Sequence, residues 1–473
     1  MTRLQPFFLA GILLLMGHAV RAQNPLVIAD DKLLVDSIRI EGNRVTRESI
    51  ILRELVFGVG DTIAKMELLP AFQRSKENLL NLSLFNFVFF DATHAPGNRI
   101  TVIITVTERW YIWPMPILEY AERNFSTFIQ NREWHKINYG AWIKWSNFRG
   151  RNDELTAKIR LGYVQEYALA YSMPNMGKRQ IHGLSAGFNM KQQNEATVFT
   201  VNNRPEEFRP IEKPAMIRLN AHMRYSFRPK LYTTHFLKLE YYHFRVSDSV
   251  AIVNPNYLGE DKTQLGYFTV SYNFQYDARD SRIYPLEGVA VRLRAEQVGL
   301  GIEKDFPYPG IRLTGVFMLH QELARRIYFY NATKAQYSSV KILPYIMNKG
   351  LGYNEFLSGY EPYVIDGSDY FITKYSLKLL VVKPKVHKIP FIPLEQFNKV
   401  HYSIYLNAFV DAGYVNNIFA SPTNTLVNNW QFSTGVGLDF VTYYDQVLRI
   451  DYALNRFGEH GFFFHIEVPF LRW

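Results

Sequence analysis

The chain has 473 residues, with 53 Lys and Arg against 43 Asp and Glu, a net charge of +10, and no cysteine. The lack of thiols excludes a disulfide scaffold and thiolate metal or redox chemistry. The basic residues are scattered through alternating segments rather than gathered in a run, which argues against nucleic acid and for contact with anionic lipid headgroups.

The N-terminus has the form of an export signal. Arg3 precedes a short apolar run at 7–16 (FFLAGILLLM), and Val20-Arg21-Ala22 offers a small-residue cleavage site, so residues 1–22 are expected to be a signal peptide. The run is too short to span a bilayer. No other apolar stretch reaches helical spanning length, which leaves a soluble exported protein or a transmembrane β-barrel. Aromatic residues reach 15% while charged residues still make 20%, the mixture expected of aromatic girdles outside and polar groups inside a barrel.

Residues 33–108 are predicted to form one small β-α-α-β-β domain. The alternating segment 35–41 is a strand ended by Gly42-Asn43. Thr46 is expected to cap a helix over 47–56. A second helix is expected over 67–82, with Pro70 tolerated in its first turn. Strands over 86–93 and 100–108 follow, separated by Ala95-Pro96-Gly97-Asn98.

From residue 110 to 473 the helical period disappears, and sixteen strand-like segments recur: 110–120, 137–147, 153–164, 166–173, 180–191, 214–226, 233–246, 264–277, 287–299, 309–321, 327–341, 369–382, 399–413, 431–442, 446–455 and 461–473. Their faces separate at a period of two. Val289, Val291, Leu293 and Ala295 oppose Arg292, Arg294 and Glu296. Ile404, Leu406, Ala408 and Val410 oppose Asn407 and Asp411. Leu377 and Leu379 oppose Lys374 and Lys378. A lipid-facing Arg or Lys at the midplane costs about 2–4 kcal/mol, so the charged set is expected to line the lumen of a sixteen-stranded antiparallel transmembrane barrel. The segment 461–473 (GFFFHIEVPFLRW) carries an apolar stripe and ends in Trp473. A large soluble β-sandwich is the competing architecture.

Other signals are weaker. Gly183-Leu184-Ser185-Ala186-Gly187 matches a GxSxG pattern but lies inside an alternating segment, not between a strand and a helix. Asp277, Arg279 and Asp280 suit an ion pair before the turn at Tyr284-Pro285. The histidines show no HExxH. No catalytic residue, cofactor or metal site is expected.

One β-α-α-β-β unit before sixteen strands resembles the BamA/TamA family of outer-membrane assembly proteins, the bacterial surface-antigen family, and the small domain resembles a single POTRA domain. SNFRGRNDEL (146–155), YALAYSMPNM (167–176), YDARDSRIYPLEGVAVRLRAE (276–296), SGYEP (358–362), FVDAG (409–413) and VLRIDYALN (447–455) carry the resemblance. It implies an outer-membrane barrel with the N-terminal domain in the periplasm. The implied partners are unfolded outer-membrane or exported client proteins, outer-membrane lipids, and periplasmic or lipoprotein accessory subunits.

The resemblance also implies a loop between strands 11 and 12 that returns into the barrel with an Arg-Gly-aromatic motif held by wall carboxylates. Here the motif is Ser358-Gly359-Tyr360, followed by Glu361, and the arginine is missing. Asp411 matches one wall acid, and Lys378 stands where the other would be, so Lys378 is expected to replace the loop cation and pair with Asp411. The implied mechanism is insertion through a weak seam between the first and last strands, marked here by Pro114, Pro116, Gly461 and Trp473. Strand 86–93 would accept a client by strand addition. A two-partner-type secretion pore and a passive outer-membrane channel are the alternatives.

Overall fold

A computed structural model describes residues 32–120, 136–211, 214–390, 399–442 and 446–467. The export signal and Trp473 lie outside them.

The N-terminal domain contains β1 (Lys32–Glu41), α1 (Glu48–Leu52), β2 (Thr62–Ala64), α2 (Lys65–Leu80), β3 (Phe85–Ala95) and β4 (Arg99–Glu108). Its sheet order is β2-β1-β4-β3, with β1 and β4 parallel, so β3 is an edge strand. Ile100, Val102, Ile104 and Val106 alternate onto one face of β4 and bury against Ile50, Ile51, Phe72 and Leu79 of the helices. Burying a side chain of this size contributes about 1.5–3 kcal/mol, which is what holds so small a unit together. Gly42 has φ +89°, and a Cβ there would lie 2.1 Å from the Val106 carbonyl oxygen, so the turn after β1 requires glycine.

Three local expectations are corrected. The short strand β2 pairs with β1 and was not anticipated; three residues are too few to show a period. Helix α2 begins at Lys65, which places Pro70 inside the helix rather than in its first turn. Thr46 does not cap α1, whose N-cap position is Arg47 without a side-chain bond. Its hydroxyl instead bonds Tyr111 at 3.0 Å and accepts from Asn147 Nδ2 at 2.8 Å.

The barrel strands are β5 (Ile112–Tyr120), β6 (Ile137–Ser146), β7 (Glu154–Gly162), β8 (Val164–Met176) and β9 (His182–Gln193). A hairpin follows, β10 (Ala196–Val201) and β11 (Arg204–Phe208). Then come β12 (Met216–Lys230), β13 (Thr233–Val246), helix α3 (Asp248–Val253), β14 (Gln264–Asp277), β15 (Gly288–Val298), β16 (Gly310–Ala324) and β17 (Ile327–Ser338). Two short strands, β18 (Lys349–Leu351) and β19 (Ile365–Asp366), pair within the next loop. The wall ends with β20 (Asp369–Lys388), β21 (Lys399–Asn416), β22 (Gln431–Thr442), β23 (Gln446–Asn455) and β24 (His460–Glu467).

Without β10–β11 and β18–β19, sixteen strands form one antiparallel sheet from β5 to β24, and each of the sixteen alternating segments falls on one of them. The parity is as expected: Leu293, Leu377, Val410 and Val436 point outward, while Lys378, Asn407, Asp411, Asp439 and Asp451 are buried within. Ser185 sits inside β9, opposite Arg224, whose Nε donates to its hydroxyl at 3.1 Å.

The small domain packs beneath the periplasmic turns. Arg47 donates its backbone N–H to the Gly150 carbonyl at 2.9 Å, and a Cβ on Gly150 would lie 2.2 Å from the Val45 oxygen. Arg228 holds the buried Glu54 through two bonds of 2.6 and 2.8 Å. Arg74 reaches Tyr232 and the Ala278 carbonyl, both at 2.9 Å, and Asn81 donates to the Asp280 carbonyl at 3.0 Å.

Candidate functional site

The lumen is closed by three elements, two held by buried polar contacts to the wall and the third by contacts to neighbouring extracellular loops.

The first is the returning loop between β17 and β20. Ser358 donates to Asp411 Oδ2 twice, from its backbone N–H at 3.0 Å and its hydroxyl at 2.8 Å. The Gly359 carbonyl accepts from Asn455 Nδ2 at 3.0 Å, and the Tyr360 hydroxyl donates to the Phe432 carbonyl at 3.1 Å. Gly359 has φ +79° and approaches Ala453 so closely that a Cβ would be 3.4 Å from that methyl group. Tyr363 donates to the Glu459 carboxylate at 2.8 Å. Two hydrogen bonds from a small side chain and its own backbone therefore occupy Asp411 where an arginine was lacking.

The expected partnership of Lys378 with Asp411 is corrected by the strand register. Lys374 is opposite Asp411, and Lys378 is opposite Asn407. At roughly 3.4 Å per residue, the two positions are about 14 Å apart along β20. Lys374 Nζ lies 3.6 Å from Asp411 Oδ2, so the cation does come from the wall, two pleat repeats away from the expected residue. Lys378 instead lies 4.0 Å from the centre of the Tyr284 ring and 5.3 Å from that of Tyr330.

Glu361 is next in the loop. Its Oε2 is buried without a hydrogen bond, and Oε1 is 3.8 Å from His465 Nε2. Burial pushes the Glu361 carboxyl up to about 7; Asp451 adds to this and Lys374 opposes it. A carboxyl raised above its unfolded value makes the seated loop bind the extra proton. The contribution is therefore fully present below the unfolded value near 4.5 and is lost as pH rises through about 7, by an amount on the order of 2 kcal/mol. Hydrogen-exchange protection of residues 357–363, corrected for intrinsic rates, is expected to drop between pH 5 and pH 8. In Glu361→Gln the drop should disappear.

The second element is the periplasmic turn 278–287, absent from the sequence reading as anything but an ion-paired turn. Arg279 makes that pair with Asp277, at 2.8 Å through both Nε and Nη2. The turn also carries Tyr284 into the lumen, where its hydroxyl donates to Asp439 Oδ2 at 2.7 Å. Asp439, fully buried, accepts as well from Asn407 at 2.9 Å and Arg449 Nε at 2.7 Å. The only sequence signal for this was an aromatic residue in a motif shared with the family; its partner lies 155 positions away.

The third is the hairpin β10–β11, which crosses the extracellular mouth. Its turn residues Asn202 and Asn203 have φ +52° and +62°, the double left-handed turn that asparagine tolerates. Asn203 Nδ2 donates to Thr425 at 3.2 Å, its Oδ1 accepts from the Leu426 N–H at 2.9 Å, and its carbonyl accepts from Val364 of the returning loop at 2.9 Å. Asn203→Ala removes two of these and strains the turn, a cost of about 2 kcal/mol. More frequent openings and a higher mean conductance in planar bilayers are expected.

The seam residues are distributed as follows. Pro114 and Pro116 lie on the edge strand β5, opposite Ile143 and Ala141 of β6. Gly461 of β24 pairs with Ala453 of β23 without a register shift. Phe462 and Phe464 face outward. Among the described residues no group of three or more acidic or histidine side chains is placed to hold a metal ion.

The sequence matches the Omp85 superfamily domain over residues 147–368 and the POTRA family, surface antigen variable number repeat, over residues 34–109. No curated protein sequence matches the chain. Among solved structures, BamA from Haemophilus ducreyi lacking POTRA domains 1–3 is 16% identical with a TM-score of 0.50, over 91% of this chain and 84% of that one. CdiB from Escherichia coli is 10% identical with a TM-score of 0.55, over 92% of this chain and 75% of that one.

Proposed function

We infer, from a chain that belongs to the Omp85 superfamily and carries one POTRA domain, a non-enzymatic outer-membrane factor that inserts or translocates other proteins, and of these two activities we propose insertion. The barrel lies in the outer membrane with the POTRA domain in the periplasm. The observation that carries the proposal is the combination of a lumen closed by three elements with two edges, at β5 and β24, of the sheet formed by the described residues. A chain passing through the lumen would have to displace the returning loop, the Tyr284 turn and the capping hairpin. A strand added at an edge displaces none of them. Pro114 and Pro116 both lack a backbone donor and share one parity of β5, which pairs along its whole length with β6. Prolines in such a strand favour the side away from the partner, which would leave the seam poorly bonded.

Edge strand β3 of the POTRA sheet would receive the client first. The client proteins and outer-membrane lipids are the partners this reading requires. Proteoliposomes containing the protein are expected to speed the folding of a urea-denatured outer-membrane barrel, and depletion in cells should lower several barrel proteins together. If depletion removed one exported protein and left every barrel intact, the secretion-pore reading would replace this one.

A further inference from the structure

Between the wall strands β12 to β17 and the returning loop lies a cavity of about 840 Å³. Its lining holds eight arginine and lysine side chains against two glutamates. Both glutamates are engaged: Glu296 by Arg294 at 2.5 Å and Arg312 at 3.4 Å, and Glu355 by Lys334 at 2.7 Å. Arg218, Arg224, Arg292 and Lys349 have no carboxylate within ion-pair distance among the described residues.

The strand register sets like charges against one another here. Arg218 is directly opposite Lys191, and Arg224 directly opposite Lys238. Such cross-strand pairs destabilise a sheet. Elsewhere the same wall matches opposite charges, as in Lys374 with Asp411 and Arg449 with Asp439. Lys349, on the loop side of the cavity, is pushed down to about 8 by burial and by Arg218, against the opposing pull of its cross-strand neighbour Asp366. The Nε atoms of Arg294 and Arg312 are buried donors without an acceptor. Guanidinium forks present paired donors that match tetrahedral oxyanions, and the volume is that of a small-molecule site.

We propose that this cavity binds a compact polyanion carrying two or more phosphate groups, held by Arg218, Arg292 and Lys349 with Arg224 and the Nε donors of Arg294 and Arg312. The site is independent of the seam. It joins wall and returning loop, so a bound polyanion would hold the loop in place. A phosphorylated lipid headgroup and a soluble organic phosphate share this chemistry.

The full-length protein in detergent would be titrated calorimetrically with inositol hexakisphosphate and with pyrophosphate. The second arm would compare nanodiscs containing cardiolipin, whose headgroup carries two phosphates, with nanodiscs of phosphatidylcholine alone. Micromolar binding of the hexakisphosphate is expected, weakened at least tenfold in Arg218→Gln/Arg292→Gln/Lys349→Gln and unchanged in the periplasmic Lys178→Gln. The triple variant should melt higher than the parent without ligand, because like charges have been removed, and its Tm should not rise with the hexakisphosphate. If only the anionic nanodiscs raise the parent's Tm, with the rise lost in the triple variant, the source is a lipid headgroup and the site stands. No effect in either arm, equal binding by parent and triple variant, or binding of polyglutamate but of neither phosphate would overturn the proposal.

Discussion

Asp411→Ala is expected to unseat the returning loop. Asp411 is 2% exposed and is met by three donors: the Ser358 N–H, the Ser358 hydroxyl and Lys374 Nζ. Alanine leaves all three without that acceptor. Removing one partner of a buried pair costs about 3–5 kcal/mol, and since Lys374 is about a third exposed the lower end, near 3 kcal/mol, applies. The loop's other anchors, among them Asn455 to Gly359, Tyr360 to Phe432, Tyr363 to Glu459 and Val364 to Asn203, are neutral or rim contacts that contribute about 1 kcal/mol each.

The variant should therefore show lost exchange protection over 357–363, with higher and noisier conductance, while migrating as a folded barrel. Ser358→Ala removes one hydroxyl donor and should cost only about 1 kcal/mol. Adding Lys374→Met to Asp411→Ala removes the stranded cation and should restore part of the loss. If the double variant is no better than Asp411→Ala, charge pairing is not what seats the loop. Unchanged protection in Asp411→Ala would mean that the apolar contacts of Leu357 and Tyr360 suffice.

Much of this architecture was legible because a barrel wall has a strict period. The sixteen alternating segments and the inward parity of Lys378 and Asp411 follow from where a charge can and cannot meet lipid. Period two gives the face of a residue but not its neighbour. Lys374 and Lys378 share a face, and only the register of β20 against β21 decides between them. That register is a property of two strands and the turn between them, which no local pattern carries. Tyr284 and Thr46 show the same limit at longer range. Thr46 looked like a helix cap because the competing partners, Tyr111 and Asn147, arrive from the domain junction and the barrel. Asn203 carries no local signal, since two asparagines in a turn are common and its side-chain partners are more than 200 positions away.

Glu54→Ala is expected to free the POTRA domain from the barrel rim. Glu54 faces Arg228 across two charge-assisted bonds with 3% of its side chain exposed. Arg53 lies beside them, bonded to Asn175, and its guanidinium is pushed down to about 10 by burial and by Arg228, with Glu54 opposing. Without Glu54 two half-buried guanidinium groups face each other with no carboxylate between them. The loss at the interface should be about 3 kcal/mol, which the remaining bonds of Arg74 to Tyr232 and Ala278 and of Asn81 to Asp280 do not replace.

The chain has no cysteine, so a label pair is simply introduced. Val59→Cys on the POTRA domain and Ile252→Cys on the extracellular helix α3 are both exposed, and their spin-label distance reports the domain against the barrel. A narrow distribution is expected in the parent and a broad one in Glu54→Ala. Glu54→Gln keeps the shape and loses the charge; broadening there as well would assign the effect to the cation pair rather than to packing. Arg228→Ala added to Glu54→Ala leaves Arg53 alone and should narrow the distribution part of the way back. A distribution equally narrow in all of these would mean that Arg47 on Gly150 and Thr46 with Tyr111 and Asn147 hold the domain by themselves, and that the buried ion pair adds orientation without adding hold.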